Sequence, residues 1–189
     1  MKRALLTCAL LVAGQSAAAS NTASAATAFA IEQATTWLNA PVVLAALNAQ
    51  NAEHAGIAQS TINEMDTRWR SEVGMASTPL ISSVMDTAAS EHLAEHVSKS
   101  NGMIREVFVM DAVGLNVASS AITSDYWQGD EAKFIQTYMA GPGSVHVSEV
   151  EFDESTQSYL VQVSMPITDP DSGAVIGAVT FGLDAQQFF

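Results

Sequence analysis

Two groupings of side chains in this chain could do chemistry. The first is a stretch rich in rings and carboxylates: Thr123-Ser124-Asp125-Tyr126-Trp127-Gln128-Gly129-Asp130-Glu131, followed by Phe134, Ile135 and Tyr138. Tryptophan and tyrosine faces attract cations, and a neighbouring carboxylate can complete a cage around one. The expected ligand-binding set is therefore Asp125, Tyr126, Trp127, Asp130 and Tyr138, joined by Ser119. The ligand expected there is a small cationic or zwitterionic molecule. The plainer alternative is that Trp127 and Phe134 plug the core, while Asp125 and Asp130 cap local turns and a helix. The second grouping is His92-Leu93-Ala94-Glu95-His96. Histidines four apart share a helix face and can chelate zinc, with Glu95 as base, which is the mechanics of an inverted zinc-peptidase motif. No third protein ligand is indicated, and the alternative is a solvated helix face.

Other candidates resolve more simply. Arg68 and Arg70 flank Trp69 and either reach toward an anionic ligand or pair with Glu64, Asp66 or Glu72 on their own helix; the second is preferred. The serines at Ser119-Ser120 lack a Gly-x-Ser-x-Gly setting, and no Ser-His-Asp order is legible. No catalytic residue, no metal ligand and no cofactor is expected. The carboxylates Glu149, Glu151, Asp153 and Glu154 read as a solvated, charge-protected edge.

The elements that must position these residues fall into two textures. Residues 26–100 read as helical. Asn39-Ala40-Pro41 breaks the segment 35–47, since proline suits the first turn of a new helix. Ala58, Ile62, Met65 and Trp69 form an amphipathic stripe. Thr61 and Glu64 fit a capping box or lie inside a continuing helix. Thr78-Pro79 opens a further segment that Asn101-Gly102 closes. Residues 101–189 read as a sheet: strands are expected at 104–110, 115–119, 145–152, 159–167 and 175–183, with turns at Asp111-Ala112-Val113-Gly114, 153–156 and 169–173. Hairpin connections imply antiparallel pairing, and helices followed by strands imply an α+β fold with the helices on the sheet.

The N-terminus reads as an export signal. Met1-Lys2-Arg3 precedes the apolar run 4–13, and Ala17-x-Ala19 supplies a cleavage site. The expected layout is a signal peptide at 1–19, a flexible small-residue segment at 20–25 and one domain at 26–189. Ten apolar residues are too few to span about 30 Å of hydrocarbon, so an anchor is disfavoured. The sole cysteine, Cys8, lies within the apolar run, which leaves no disulfide or thiol chemistry in the mature chain. The chain has 20 acidic and 7 basic side chains; without Lys2 and Arg3 the net charge falls from −13 to −15. Such a surface repels phosphate backbones and anionic lipid, so no nucleic-acid partner is expected.

Taken in order, the long helices, Phe108-Val109-Met110-Asp111, the turn at Gly114, Val117-Ala118-Ser119-Ser120, the aromatic crossover and the closing Ile176-Gly177-Ala178-Val179-Thr180-Phe181-Gly182 resemble a Cache domain, a PAS-like extracytoplasmic sensor module. The likeness runs over roughly 26–187. It implies a five-stranded antiparallel PAS-like sheet, a ligand pocket on its helix-facing side, and binding without catalysis. It also implies a homodimer through the N-terminal helices and, since the chain stops at Phe188-Phe189, signalling through a separate membrane-bound protein. The sequence departs from the family at one place. Amino-acid-binding members carry an Arg-x-Trp-Tyr group in the crossover, where this chain has Asp125-Tyr126-Trp127, and Arg105 is the sole arginine after Lys99. The remaining readings are the zinc-dependent peptidase built on His92, Glu95 and His96, and a structural periplasmic assembly subunit whose pocket is filled by its own side chains.

Overall fold

The computed structural model describes residues 9–153 and 157–188, with side chains described from residue 21 onward. Helix α1 (Ala9–Gln33) leads through a short π-helical stretch, Ala34–Leu38, into α2 (Pro41–Glu53). Pro41 occupies the first turn of α2, as the break at Asn39-Ala40-Pro41 predicts. The expected leader falls partly outside the described residues, and from Ala9 onward it lies in α1. Residues 20–25, expected as a flexible segment, also lie in α1: they contain no proline or glycine, and Thr27 Oγ1 donates to Ala23 O at 2.7 Å. No helix among the described residues is long and apolar enough to cross a membrane.

Helix α3 (Gln59–Glu72) starts after Ala58, which puts Thr61 and Glu64 inside the helix. Its stripe buries Ile62 and Trp69. The segment expected from Thr78 to Ser100 is two helices, α4 (Pro79–Met85) and α5 (Ala88–Lys99). Asp86 and Thr87 break it because the Thr87 hydroxyl caps α5, accepting from Ser90 N–H at 3.1 Å. Glu72 at the end of α3 secures α4 by accepting from Leu80 N–H at 2.7 Å and Ile81 N–H at 3.0 Å. Burial opposes ionising Glu72, but the Ile81 amide, Arg68 and the Leu80 amide outweigh it and hold the carboxyl below its usual range.

The described residues form six strands: β1 (Ile104–Met110), β2 (Asn116–Ser119), β3 (His146–Val147), β4 (Glu151–Asp153), β5 (Ser158–Thr168) and β6 (Val175–Asp184). They make one antiparallel sheet in the order β2-β1-β6-β5-β3, with β4 also on β5. The strand expected at 145–152 is thus two short strands, β3 and β4, sharing one neighbour. The break falls at Ser148, whose N–H still donates to Gln162 O and whose hydroxyl accepts from Gln162 N–H.

Directly opposed residues of an antiparallel ladder share a face. Val107, Phe181 and Val163 oppose one another, as do Val109, Val179 and Met165. This face is covered by the helices: Val43 and Leu47 of α2, Leu93 of α5, and Ala26 and Ala30 of α1 pack into the same core. The other face carries Glu106, Gly182 and Gln162 in one row and Phe108, Thr180 and Ser164 in the next. Part of it is covered by the crossover, residues 120–145, whose helix α6 (Ala132–Ile135) seats Phe134 against Phe108, Met110 and Ala178. A third cluster joins α3 and α4 to the crossover through Ile62, Trp69, Ile81, Val84, Leu115 and Tyr126.

Where α5 meets the π-helical linker, Trp37 stacks on His96 at 4.5 Å between centroids, and His92 Nε2 lies 3.1 Å from Trp37 O. Burial, then the charges of His92 and Lys99, lower the His96 pKa against the smaller pull of Glu95. A histidine lowered by folding binds its proton better in the unfolded chain, so the folded state loses stability as pH falls through about 6.5 toward the lower folded value. His96→Gln should flatten that acid limb in urea unfolding measured across the range; an unchanged limb would assign it to other groups.

Candidate functional site

The hairpin that carries the crossover is built around Asp111. Its Oδ1 accepts from Val113 N–H and Leu115 N–H, each at 2.9 Å, and closes the turn. Its Oδ2 accepts from Gln50 Nε2 at 2.9 Å and lies 2.7 Å from His54 Nδ1, tying the turn to α2. Gly114 in this turn has φ +88°, and a Cβ there would meet the Gly129 backbone at 2.5 Å. Glycine is required on both counts. That approach lets the chain from Asp125 to Gln128 run beside β2: Asn116 N–H donates to Tyr126 O, Gln128 N–H to Gly114 O, and Leu115 bridges Trp127.

The six residues expected to bind ligand do not come together. Tyr126 is buried, stacked on Trp69 at 5.1 Å, and burial raises its hydroxyl pKa further from neutrality. Ser119 is buried at the end of β2, donating to Ala121 O and, through its amide, to Ser90 Oγ. Tyr138 stacks on Phe134 at 4.9 Å beside the crossover core. Asp125, Trp127 and Asp130 do share a cleft, of about 330 Å³, with Asn63, Asp66 and Arg70. Glu131 lines it too, and of its four carboxylates two are paired within the cleft: Arg70 meets Asp66 at 2.6 Å and Asp125 at 3.2 Å. The Trp127 indole is turned inward and donates to Val113 O at 2.9 Å. Arg68 pairs with Glu72, so both arginines follow the helix-pairing reading, and Trp69 is core.

The larger cleft, about 630 Å³, lies between the crossover and the sheet. Gln128, Glu131 and Lys133 wall it from the crossover; Glu106, Phe108, Leu160 and Gln162 floor it; Glu151, Phe152 and Asp153 of β4 close one side. It sits on the sheet face opposite the helices. This corrects the expected helix-facing pocket: α1, α2 and α5 fill that face with apolar side chains, and space remains where the crossover bridges the other. Gly182 lets the Glu106 side chain lie flat across the floor. Opposed by Glu106 on one side and Gln162 on the other, it leaves room for Gln162 Nε2 to donate to Glu106 Oε1 at 3.3 Å. A Cβ on Gly182 would meet Glu106 Cγ at 2.5 Å. Burial pushes the Glu106 carboxyl above its usual range, against the opposing pull of Lys133 and Gln162, and Asp153 adds to the rise.

His92, Glu95 and His96 share a helix, but each is engaged locally. His92 is bonded to Trp37, His96 is stacked on it, and Glu95 pairs with Lys99. Among the described residues no three His, Cys, Asp or Glu side chains are grouped to hold a metal ion.

No protein-family model matches the chain, and no curated protein matches it. Solved structures do. The sensor domain of DcuS from E. coli is 18% identical and aligns over 88% of this chain and 94% of its own length, with a TM-score of 0.50. The sensor domain of the V. cholerae histidine kinase DctB is 12% identical over 94% of this chain, with a TM-score of 0.44. The ligand-binding domain of the Campylobacter jejuni chemoreceptor Tlp3, solved with 4-methylisoleucine, is 12% identical over 80% of this chain, with a TM-score of 0.38. This chain spans 58% of the DctB domain's length and 64% of the Tlp3 domain's. The chain has the α+β fold of Cache-type sensor domains, and the DcuS match carries that statement.

Proposed function

We propose that this chain is an extracytoplasmic sensor module, periplasmic or secreted, that binds a small molecule non-covalently between its sheet and its crossover. The observation that carries the reading is the 630 Å³ cleft, whose floor Glu106 and Gln162 make polar, the Glu106 side chain lying over Gly182. Binding sites are concave, of this size, and combine apolar walls with a few placed polar groups. The fold of sensor domains and the leader-like residues 1–19 support the address. Trp127, Asp125 and Asp130 wall a second, smaller cleft where a cationic or zwitterionic ligand could also sit. Arg70 already pairs with Asp66 and Asp125 there, and the larger cleft offers nearly twice the volume, about 630 against 330 Å³, which favours it.

Signalling would use the helix layer. The Asp111 turn joins α2 to the crossover, so a crossover that closes on ligand biases the helices, which would form a homodimer and contact a separate membrane-bound protein. Such closure is a population shift and needs different affinities in the two states. The test is a thermal-shift panel of amines, amino acids, organic acids and nucleobases on the mature protein and on Gly182→Val. Valine suits a strand, and its side chain would displace Glu106 from the floor. A stabilising compound whose effect vanishes in Gly182→Val is the expected result. A compound that shifts both proteins equally, but not Trp127→Ala, would move the site to the smaller cleft.

A further inference from the structure

We infer that the large cleft takes an organic ammonium with an apolar body, and that Glu106 is the seat of its charge; the inference rests on the sensor reading of that cleft. Its lining holds Glu106, Glu131, Glu151 and Asp153 against a single cation, Lys133. That cation is committed. An ammonium has three donors. Lys133 Nζ lies 2.9 Å from Glu131 Oε2 and 3.2 Å from Gln128 Oε1, and sits 5.5 Å from the centre of the Phe108 ring. A ligand carboxylate would have to share Lys133 with Glu131 while facing three further carboxylates.

Glu106 is in the opposite condition. Among the described residues it has one hydrogen bond, the long one from Gln162, and no ion pair. It is held in a cleft that disfavours its charge, with its side chain lying over Gly182. A partly buried carboxylate with a vacant lone pair gains most from an incoming cationic donor. The mouth specifies the rest of the ligand. Val73, Ile122 and Phe152 are each about half exposed at the rim (47, 51 and 50%), and Phe108 and Leu160 continue the apolar surface inward. Apolar side chains left exposed around a polar floor suit a ligand with a charged head and an aryl or alkyl tail.

Three probes separate the chemistries: phenethylamine, which has the head and tail; phenylalanine, which adds a carboxylate to the same body; and succinate, which has carboxylates alone. Calorimetric titration of the mature protein should show phenethylamine binding, phenylalanine weaker by about tenfold or more, and succinate silent. Glu106→Gln should weaken phenethylamine by about tenfold or more while leaving the unfolding midpoint equal or higher, because it removes a partly buried carboxyl whose charge the cleft disfavours. Succinate binding that is lost in Lys133→Met would overturn the assignment and leave the sensor reading standing. Phenethylamine binding untouched by Glu106→Gln would overturn the seat, and silence from all three probes would overturn the ammonium assignment. The sensor reading itself is decided separately, by the wider panel and Gly182→Val.

Discussion

Asp111→Ala is expected to cost about 3–5 kcal/mol of folding free energy, the range for breaking a buried charged contact by removing one partner. Asp111 is fully buried and accepts from four donors: two amides of its own turn, Gln50 Nε2 and His54 Nδ1. A carboxylate only accepts, so His54 presents its Nδ1 proton to it. Alanine leaves the two turn amides and His54 Nδ1 without this acceptor and Gln50 Nε2 with Asn116 O alone, in a place where His54 is itself buried. For a domain with roughly 5–15 kcal/mol in total, that is a large share, and a midpoint fall on the order of 10 °C follows for a chain of this size. Asp111→Asn should cost less, since its amide oxygen still serves one side of the turn. His54→Ala should also cost less, about 1–3 kcal/mol, because Asp111 keeps three donors. Urea unfolding of the three variants checks the order. An Asp111→Ala protein within 1 kcal/mol of the parent would show that the turn holds itself together without this contact.

The same residue explains why some of the fold was legible in the sequence and some was not. The Asp111–Gly114 turn, β1 and β6 read clearly because local chemistry decides them: a β-branched and aromatic run ends at an Asp-x-x-Gly turn, and Gly114 needs its positive φ. Pro41 announced α2 in the same local way. The break between α4 and α5 was hidden, since Asp86-Thr87 contains neither glycine nor proline and the cap depends on one hydroxyl. The split of 145–152 into β3 and β4 was hidden too, because both pair with β5 and only the ladder separates them.

The site was less legible because it depends on which sheet face the helices take. Rings and carboxylates at 125–131 drew attention, yet Tyr126 went to the core and the Trp127 indole turned toward the hairpin. The residues that floor the large cleft did carry a signal. Glu106 precedes a run, Val107 to Met110, that is apolar on both faces, and Gln162 sits between Val161 and Val163. A polar residue at the parity of Phe108 and Met110 marks a floor that is not fully packed. Lys133, one of five basic residues outside the leader, pointed to the same place.

Trp69→Ala is the second large effect, and it ties stability to the cleft. Trp69 has no exposed surface, its ring stacks on Tyr126 at 5.1 Å, and its Nε1 donates to Thr123 O at 2.8 Å. Truncating a fully buried tryptophan costs about 3–5 kcal/mol through lost transfer energy and the cavity left behind. Trp69→Phe keeps a ring against Tyr126 but drops the hydrogen bond to a buried carbonyl, so about 1–3 kcal/mol is expected. The two variants should also differ in binding. Thr123 and Gln128 line the large cleft, and both lie on the stretch of crossover that Trp69 and Asp66 hold, the latter by accepting from the Tyr126 and Trp127 amides. Trp69→Ala should therefore lower affinity for any cleft ligand, while Trp69→Phe, which keeps the stack, should retain most of it. Near-ultraviolet circular dichroism would follow the Trp69–Tyr126 stack while calorimetry follows binding. Full affinity in a folded Trp69→Ala protein would mean that α3 does not hold the cleft's roof, and that α6 and the Phe134 plug suffice to place it.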